Sequence, residues 1–294
     1  MGEYRRPQIA FRKPDYVAKS EGLASDLAGW FAERGISEKT LRRNQIGKGV
    51  RYFPQTESET GCILFPYLRG TEVVNIKSRT RDKHFRMESG CERVLYGLND
   101  IAERLVWVEG EMDKLSVEEA GITSCVSVPD GAPAVTSKNY SSKFDYMGAE
   151  ELERAKVHVI AVDNDAAGVR LKEELIRRLG RENCLVVEWP EEQKDANGTL
   201  MAFGKDLVRA MIDDAQPLPI EGVYRPADFM IEVMDDYTHG PKPALSTGWK
   251  SVDEFYTVLP GEWTLVTGVP GHGKSDWLDA LTINLAQQHG WRFG

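Results

Sequence analysis

No two of the four cysteines stand near one another. Cys62, Cys91, Cys125 and Cys184 are spread widely, and no Cys-x-x-Cys pair occurs. That spacing excludes a zinc ribbon built on cysteine pairs and gives no disulfide framework. Zinc is therefore not expected, and a reduced, cytoplasmic setting is the simplest reading. Positive charge is also short: 37 Lys and Arg face 46 Asp and Glu, a formal net charge of −9. The protein as a whole is not a basic nucleic-acid binder, and contact with DNA or RNA has to come from local basic patches. No apolar run is long enough to span a membrane. The opening residues MGEYRRPQIAFRK lack the apolar core of a Sec-type signal, and Arg6 stands where a myristoylation site wants Ser or Thr. No membrane partner is expected.

What is present is an apolar content of 41% over 294 residues, enough for a sizeable core and for two domains, or one with additions. The organising stretch is His158–Gly168, HVIAVDNDAAG. Its apolar residues Val159 to Val162 read as a buried strand that runs into Asp163-Asn164-Asp165, and Ala166 opens a helix with Leu171, Leu175 and Leu179 on one face. Two carboxylates one residue apart at the C-terminal end of a strand sit where parallel sheets place their ligands. A second strand, Leu105–Val108, ends in Glu109, with Asp113 four residues on. Oxygen ligands in such numbers suit a hard divalent ion such as magnesium. Asp195 is a later candidate. Asp165 alone also reads as a helix cap, but acids at several strand ends of one sheet would repel without a metal to neutralise them.

Along the chain, residues 1–24 form a basic, proline-punctuated arm. Residues 25–104 begin with an amphipathic helix over Ser25–Arg34, stopped by Gly35, and a second short helix with Ser37 as its N-cap. Val50–Met87 reads as short strands, the best being Cys62–Tyr67 and Val73–Lys77 around a turn at Arg69-Gly70-Thr71. Between Leu68 and Met87 stand six Lys or Arg and two acids. This basic segment reads either as a solvated hairpin face or as a phosphate-binding face.

From 105 to 213 strands alternate with helices. The strands are Leu105–Val108, Ser124–Val128, Val157–Val162 and Leu185–Trp189. The helices cover about Lys114–Ala120, Ser141–Arg154, Ala166–Leu179 and Thr199–Asp213. The alternation predicts an α/β fold, a parallel sheet flanked by helices. Prolines 217, 219, 226, 241 and 243 mark residues 214–243 as a linker with one short helix, Ala227–Tyr237. From 244 to 294 the pattern is a strand at Trp263–Thr267, a glycine-rich loop, and a helix at Asp276–Gln288. The loop Gly268-Val-Pro-Gly-His-Gly273-Lys274-Ser275 fits G-x-x-x-x-G-K-S. With a strand before it and a helix after it, this reads as a P-loop rather than an ordinary glycine-rich turn. Its backbone would cradle phosphates, Lys274 would reach the outer ones, and Ser275 would hold magnesium. The second-strand acid and the water-positioning residue of an ATPase have no place in the nineteen residues after Ser275. A chain complete at Gly294 is therefore expected to turn over no ATP.

Glu109-Gly110-Glu111-Met112-Asp113 followed by Asp163-Asn164-Asp165-Ala166-Ala167-Gly168 resembles the Toprim domain. Ser127-Val-Pro-Asp-Gly-Ala-Pro133 resembles the segment that primases carry between these motifs. Lys194-Asp-Ala-Asn197, and Leu245-Ser-Thr-Gly-Trp-Lys-Ser-Val-Asp253 with Leu259-Pro-Gly-Glu262, resemble parts of the bifunctional primase-helicases of tailed phages and the Twinkle type. The resemblance runs from about Ser25 to the end. It implies a Toprim parallel sheet with an N-terminal α+β primase-like subdomain and the truncated start of a RecA-like helicase domain. Glu109, Asp163 and Asp165 would be catalytic, and with Asp113 and Asp195 would hold Mg2+ or Mn2+. Lys77, Arg79, Arg81 and Lys83 lie in the segment where family members bind nucleotide phosphates. Gly268, Gly273, Lys274 and Ser275 would bind ATP or another NTP. The implied function is primer synthesis joined to a 5′–3′ replicative helicase that is incomplete here. The implied partners are single-stranded DNA, nucleotides, other replisome proteins, and further copies in a ring in the full-length form. The implied location is the cytoplasm of a bacterial or phage-infected cell, or a mitochondrial or plastid matrix in a eukaryote. The cysteine pairs of the family's N-terminal zinc ribbon do not occur in this sequence, so template-specific primer synthesis is not expected; a non-catalytic module with vestigial acids, docking on DNA or a helicase ring, is the alternative. A Toprim nuclease is a more distant one.

Overall fold

The structure is a computed structural model that describes residues 11–16, 25–132, 141–218, 224, 226–240 and 244–294, with only the backbone for 141–143. The chain divides into two compact units, Met1–Leu218 and Pro219–Gly294. Much of the basic arm, and part of the Ser127–Pro133 motif and of the proline-rich linker, lie outside the described residues.

The first unit opens with α1 (Ser25–Ala32) and α2 (Glu38–Arg43), the latter capped by Ser37, whose hydroxyl accepts from the Thr40 N–H. An antiparallel sheet follows, in the order β1 (Gly47–Phe53), β2 (Ser58–Arg69), β3 (Glu72–Thr80), β4 (Phe85–Met87). The expected hairpin is its centre, with Cys62 opposite Thr80 and Arg69 opposite Glu72. Phe53, Cys62, Leu64 and Ile76 fill one face.

The second sheet holds β5 (Arg104–Val108), β6 (Cys125–Ser127), β7 (Val157–Ile160), β8 (Cys184–Val186) and β9 (Gln216–Pro217), in the order β6-β5-β7-β8-β9. All pairs are parallel except β8–β9. Leu105, Val106, Trp107 and Val108 are all buried, as a central strand covered on both faces requires. Helix α3 (Glu111–Glu119) leads from β5 to β6, and α4 (Ala166–Leu179) from β7 to β8 on the opposite side. The order reverses between β5 and β7, so their C-terminal ends open the crevice where an α/β sheet binds its ligand.

Two expected helices take other forms. Ser141–Arg154 consists of 3-10 segments, Ser141–Gly148 and Glu150–Arg154. Phe144 and Tyr146 are both buried, and an α-helix would place residues two apart on different faces. Thr199–Asp213 is split into α5 (Ala196–Phe203) and α6 (Lys205–Asp213) by Gly204, whose φ of +86° stops the first helix.

In the second unit α7 (Met230–His239) occupies the expected linker helix and α8 (Lys250–Asp253) follows. Helix α9 (Lys274–His289) directly follows the glycine-rich loop. Trp263–Thr267 does not form the expected strand. Trp263 is 85% exposed and Leu265 68%. A strand needs a neighbour for its backbone groups. The pairing in this unit, among the described residues, is one bridge between Leu245 and Val258.

Candidate functional site

Glu109 directly follows β5, and Asp163 lies just beyond β7. The register sets Trp107 opposite Ile160, so the two acids leave neighbouring strands at the same edge. Asp113 is in the first turn of α3. Asp165 caps α4, its Oδ1 accepting from the N–H groups of Ala167 and Gly168 at 3.1 and 3.0 Å. Asp195 caps α5 by accepting from Gly198 N–H at 2.7 Å. The acids thus gather near three helix N-termini, where the backbone dipoles favour negative charge.

Two hydrogen bonds tie these elements together. Asn197 N–H donates to Asp113 Oδ1 at 3.1 Å, and Asn164 N–H donates to the Lys194 carbonyl at 2.8 Å. Glycine is required at 168. A Cβ there would lie 2.1 Å from the Asp163 carbonyl oxygen. Alanine is usually the better helix residue, by about 1 kcal/mol. At this position we expect the opposite sign: Gly168→Ala should cost about 1–3 kcal/mol from overpacking, read as a lowered urea midpoint.

Burial, and then Asp163, push the Glu109 carboxyl up to about 7. Burial, and then Asp195 and Asp163, hold Asp113 well above the usual carboxylate range. Asp163 is raised by burial, which outweighs its hydrogen bond from Lys194. Asp165 is lowered, first by the Gly168 N–H. The site therefore pairs an ionised Asp165 with a Glu109 that exchanges a proton near neutrality, the setting a general base needs.

The Glu109 shift has a stability consequence. A carboxyl raised from 4.5 to about 7 stabilises the fold fully below 4.5, and that contribution is lost as pH rises through 7. Glu109→Gln stays neutral. Its melting temperature relative to wild type should therefore climb between pH 5 and pH 8 in chelator, as followed by calorimetry. A pH-independent difference would contradict the shift.

Lys194 was visible only as part of a motif, yet it lies at the centre of the acids. Its Nζ is 2.9 Å from Asp163, 3.6 Å from Asp165 and 3.8 Å from Asp195. This ammonium places one positive charge among the acids. Among the described residues no three acids converge to hold an ion. The donor chemistry still fits a hard cation: all the side chains are oxygen donors, and Glu109 Oε2 is buried with no hydrogen-bond partner among the described residues.

The basic segment is not one face. Lys77 is buried, its ammonium 2.8 Å from Glu111 Oε1, which also accepts from the Tyr67 hydroxyl. Arg79 is buried with its guanidinium 4.9 Å from the Trp30 ring centre, and its Nη1 has no hydrogen-bond partner among the described residues. Arg81 and Lys83 are exposed in the turn after β3. What divides the four is the end of β3: Lys77 and Arg79 share one face of the strand and meet Glu111 and Trp30, whereas Arg81 and Lys83 lie in the turn beyond Thr80. Ser275, Gly268, Gly273 and Lys274 belong to the other unit, where Lys274 Nζ donates to the carbonyls of Gly268 and Val269 at 3.1 and 3.0 Å.

Residues 106–200 match a family model described as Toprim-like. The chain is 43% identical over 290 residues to the Twinkle homolog protein, chloroplastic/mitochondrial, of Arabidopsis thaliana, covering 93% of this chain and 40% of that protein. It is 39% identical over 218 residues to the primase homolog protein of the same plant, covering 69% of this chain and 63% of that one. The chain thus spans less than two thirds of either curated relative. The crystal structure of the Aquifex aeolicus primase, with its zinc-binding and RNA polymerase domains, has the same fold over 71% of this chain and 60% of that one, with a TM-score of 0.53 at 17% identity.

Proposed function

We propose that this chain, which resembles a Twinkle homolog and a primase homolog and carries a Toprim-like segment, performs metal-dependent nucleotidyl transfer in its first unit, making short primers on single-stranded DNA. The observation that carries this reading is Glu109: a carboxyl near 7 whose buried Oε2 has no partner among the described residues, beside Asp163 at the crevice between β5 and β7. Glu109, Asp163 and Asp165 would hold Mg2+ or Mn2+, with Asp195 beside them and Asp113, its carboxyl held well above the usual range by burial, completing the acid cluster. When bound, the ion supplies Lewis-acid stabilisation of the attacking and leaving oxygens. Glu109 takes the proton of the 3′ hydroxyl as that oxygen bonds to the α-phosphorus of the next nucleotide and pyrophosphate leaves. Exposed Arg81 and Lys83 are available to the phosphates of the template backbone.

In the second unit the loop before α9 would bind an NTP, with Gly268 and Gly273 shaping the cradle, Lys274 turning from its own carbonyls to the phosphates, and Ser275 holding the magnesium. In the full-length form this would be the entry to a ring-forming helicase working with other replisome proteins. The exposed apolar residues of α7, Ile231 and Tyr237 among them, support its docking on a neighbouring copy. The name of the Twinkle homolog supports an organelle matrix as the location.

The test is synthesis of dinucleotides from NTPs on single-stranded oligonucleotides of varied sequence, with Mg2+ or Mn2+. Product that requires both metal and template supports the reading. Absence of product under every combination, with single-stranded DNA still bound in fluorescence anisotropy, would replace it with a non-catalytic DNA-binding module.

A further inference from the structure

Lys194 joins carboxylates from two separate loops. Asp163 and Asp165 come from the β7–α4 connection and Asp195 from the β8–α5 connection, and all three lie within 2.9–3.8 Å of its ammonium. The backbone of Lys194 is fixed, since its carbonyl accepts from Asn164 N–H at 2.8 Å. Its side chain is nevertheless 61% exposed. A lysine offers a compact charge on a flexible four-carbon stem and no planar fork to lock it to a single carboxylate. It therefore has a fixed root, an open path to solvent, and a charge shared among several partners.

The acids it holds include those the proposed reaction assigns to a divalent cation, and this inference rests on that assignment. We infer that Lys194 is a tethered countercharge that competes with the divalent cation for Asp163 and Asp165 and swings outward as the cation loads. The physical reason is electrostatic. Asp163, Asp165 and Asp195, with Glu109 and Asp113 beside them, repel one another unless a positive charge lies among them. One ammonium at hydrogen-bond distance meets that need, but it also lowers the negative potential that draws a cation in. As charges of the same sign, the ammonium and a divalent ion cannot both sit against Asp163 without a large repulsion. Tethering the ammonium through its own backbone makes the exchange intramolecular and reversible. It also keeps the crevice assembled, with β7, α4 and α5 in register, while the acids change partners.

The test uses Mn2+ alone as the probe, on the whole chain, and does not depend on turnover. Manganese affinity is measured by electron paramagnetic resonance or calorimetry for wild type, Lys194→Met and Lys194→Arg, and melting curves are taken in chelator and in saturating Mn2+. Removing one competing charge at this range should tighten Mn2+ binding in Lys194→Met by about tenfold. Its melting temperature should fall in chelator and return toward wild type with Mn2+. Lys194→Arg, which keeps the charge, should bind no tighter than wild type. A second measurement needs no variant: acylation of Lys194 in the wild-type protein, read by mass spectrometry, should speed up when Mn2+ is added. Unchanged or weaker Mn2+ binding by Lys194→Met, or acylation indifferent to Mn2+, would overturn the inference while wild-type binding leaves the metal assignment standing. Failure of both wild type and Lys194→Met to bind Mn2+ would overturn the two together.

Discussion

Asp163→Asn should lower metal-dependent dinucleotide synthesis by about a hundred- to a thousandfold, the scale on which removal of one preorganised transition-state contact acts. The amide keeps the shape of the carboxylate and removes its charge. Asp163 is buried just beyond β7, 2.9 Å from the Lys194 ammonium, at the crevice that Glu109 also lines. The fold should not suffer in proportion. Burial already raises the Asp163 carboxyl, so the ionised form costs the folded state free energy around neutral pH. The neutral variant escapes that cost while losing the 2.9 Å pair with Lys194. Melting temperatures close to wild type, together with collapsed synthesis, are the expected result. Undiminished synthesis would remove Asp163 from the reaction, and parallel loss of both would make its role structural.

The largest effect on stability should come from Lys114, which follows Asp113 directly but sends its side chain to Asn44 at the end of α2. Its side chain is fully buried in α3, and its ammonium lies 2.9 Å from Asp100, 2.6 Å from Glu118 and 2.7 Å from Asn44. Arg43 reaches the same two acids from α2. Lys114→Met leaves Glu118 buried with only part of its countercharge, and breaking a buried pair in this way costs about 3–5 kcal/mol. Adding Glu118→Gln removes the stranded charge and should return most of that loss in urea denaturation. The pH dependence follows from Asp100. Burial pulls its carboxyl up, but Arg43 and Lys114 together bring it below its ordinary value of 3.8. Stability from that pairing is present above 3.8 and lost as pH falls. The cost of Lys114→Met should therefore shrink in acid.

Helix α3 explains why such residues matter. It packs against α2, α5, α6 and β6, so seven of its nine residues are buried, charged ones included. Glu111 and Asp113 at its start face Lys77 and Asn197, while Lys114 and Glu118 face α2. Read as a sequence, Glu-Met-Asp-Lys-Leu-Ser-Val-Glu-Glu has the look of a half-solvated helix. Its charges instead meet partners that include Lys77, 34 residues from Glu111, and Asn197, 84 residues from Asp113.

The strands and acids were legible because their signals are local. Leu105–Val108 and Val159–Val162 are apolar runs that end in acids, and a strand that ends in an acid puts it at the rim of a parallel sheet whatever the rest of the chain does. Ser37 and Asp165 as caps, and the helix after the glycine-rich loop, are equally short-range matters of backbone geometry. The misread segments lacked a partner or broke the period. Trp263–Thr267 has the composition of a strand and, among the described residues, pairs with no neighbour. Phe144 and Tyr146 bury two residues apart, and Gly204 turns with positive φ inside an otherwise helical pattern.

By itself the sequence determined the alternating α/β architecture, the places where carboxylates meet strand and helix ends, and the glycine-rich loop. Each follows from periodicity and steric preference within a few residues. Only the tertiary structure decided that β5 and β7 are adjacent, that Lys77 and Arg79 turn inward while Arg81 and Lys83 remain outside, and that Lys194 supplies the charge among the acids. Those outcomes depend on contacts such as Lys194 with Asp163, 31 residues apart. Coulomb attraction and burial act between side chains according to distance in space, which the folded packing sets and the order of residues along the chain does not.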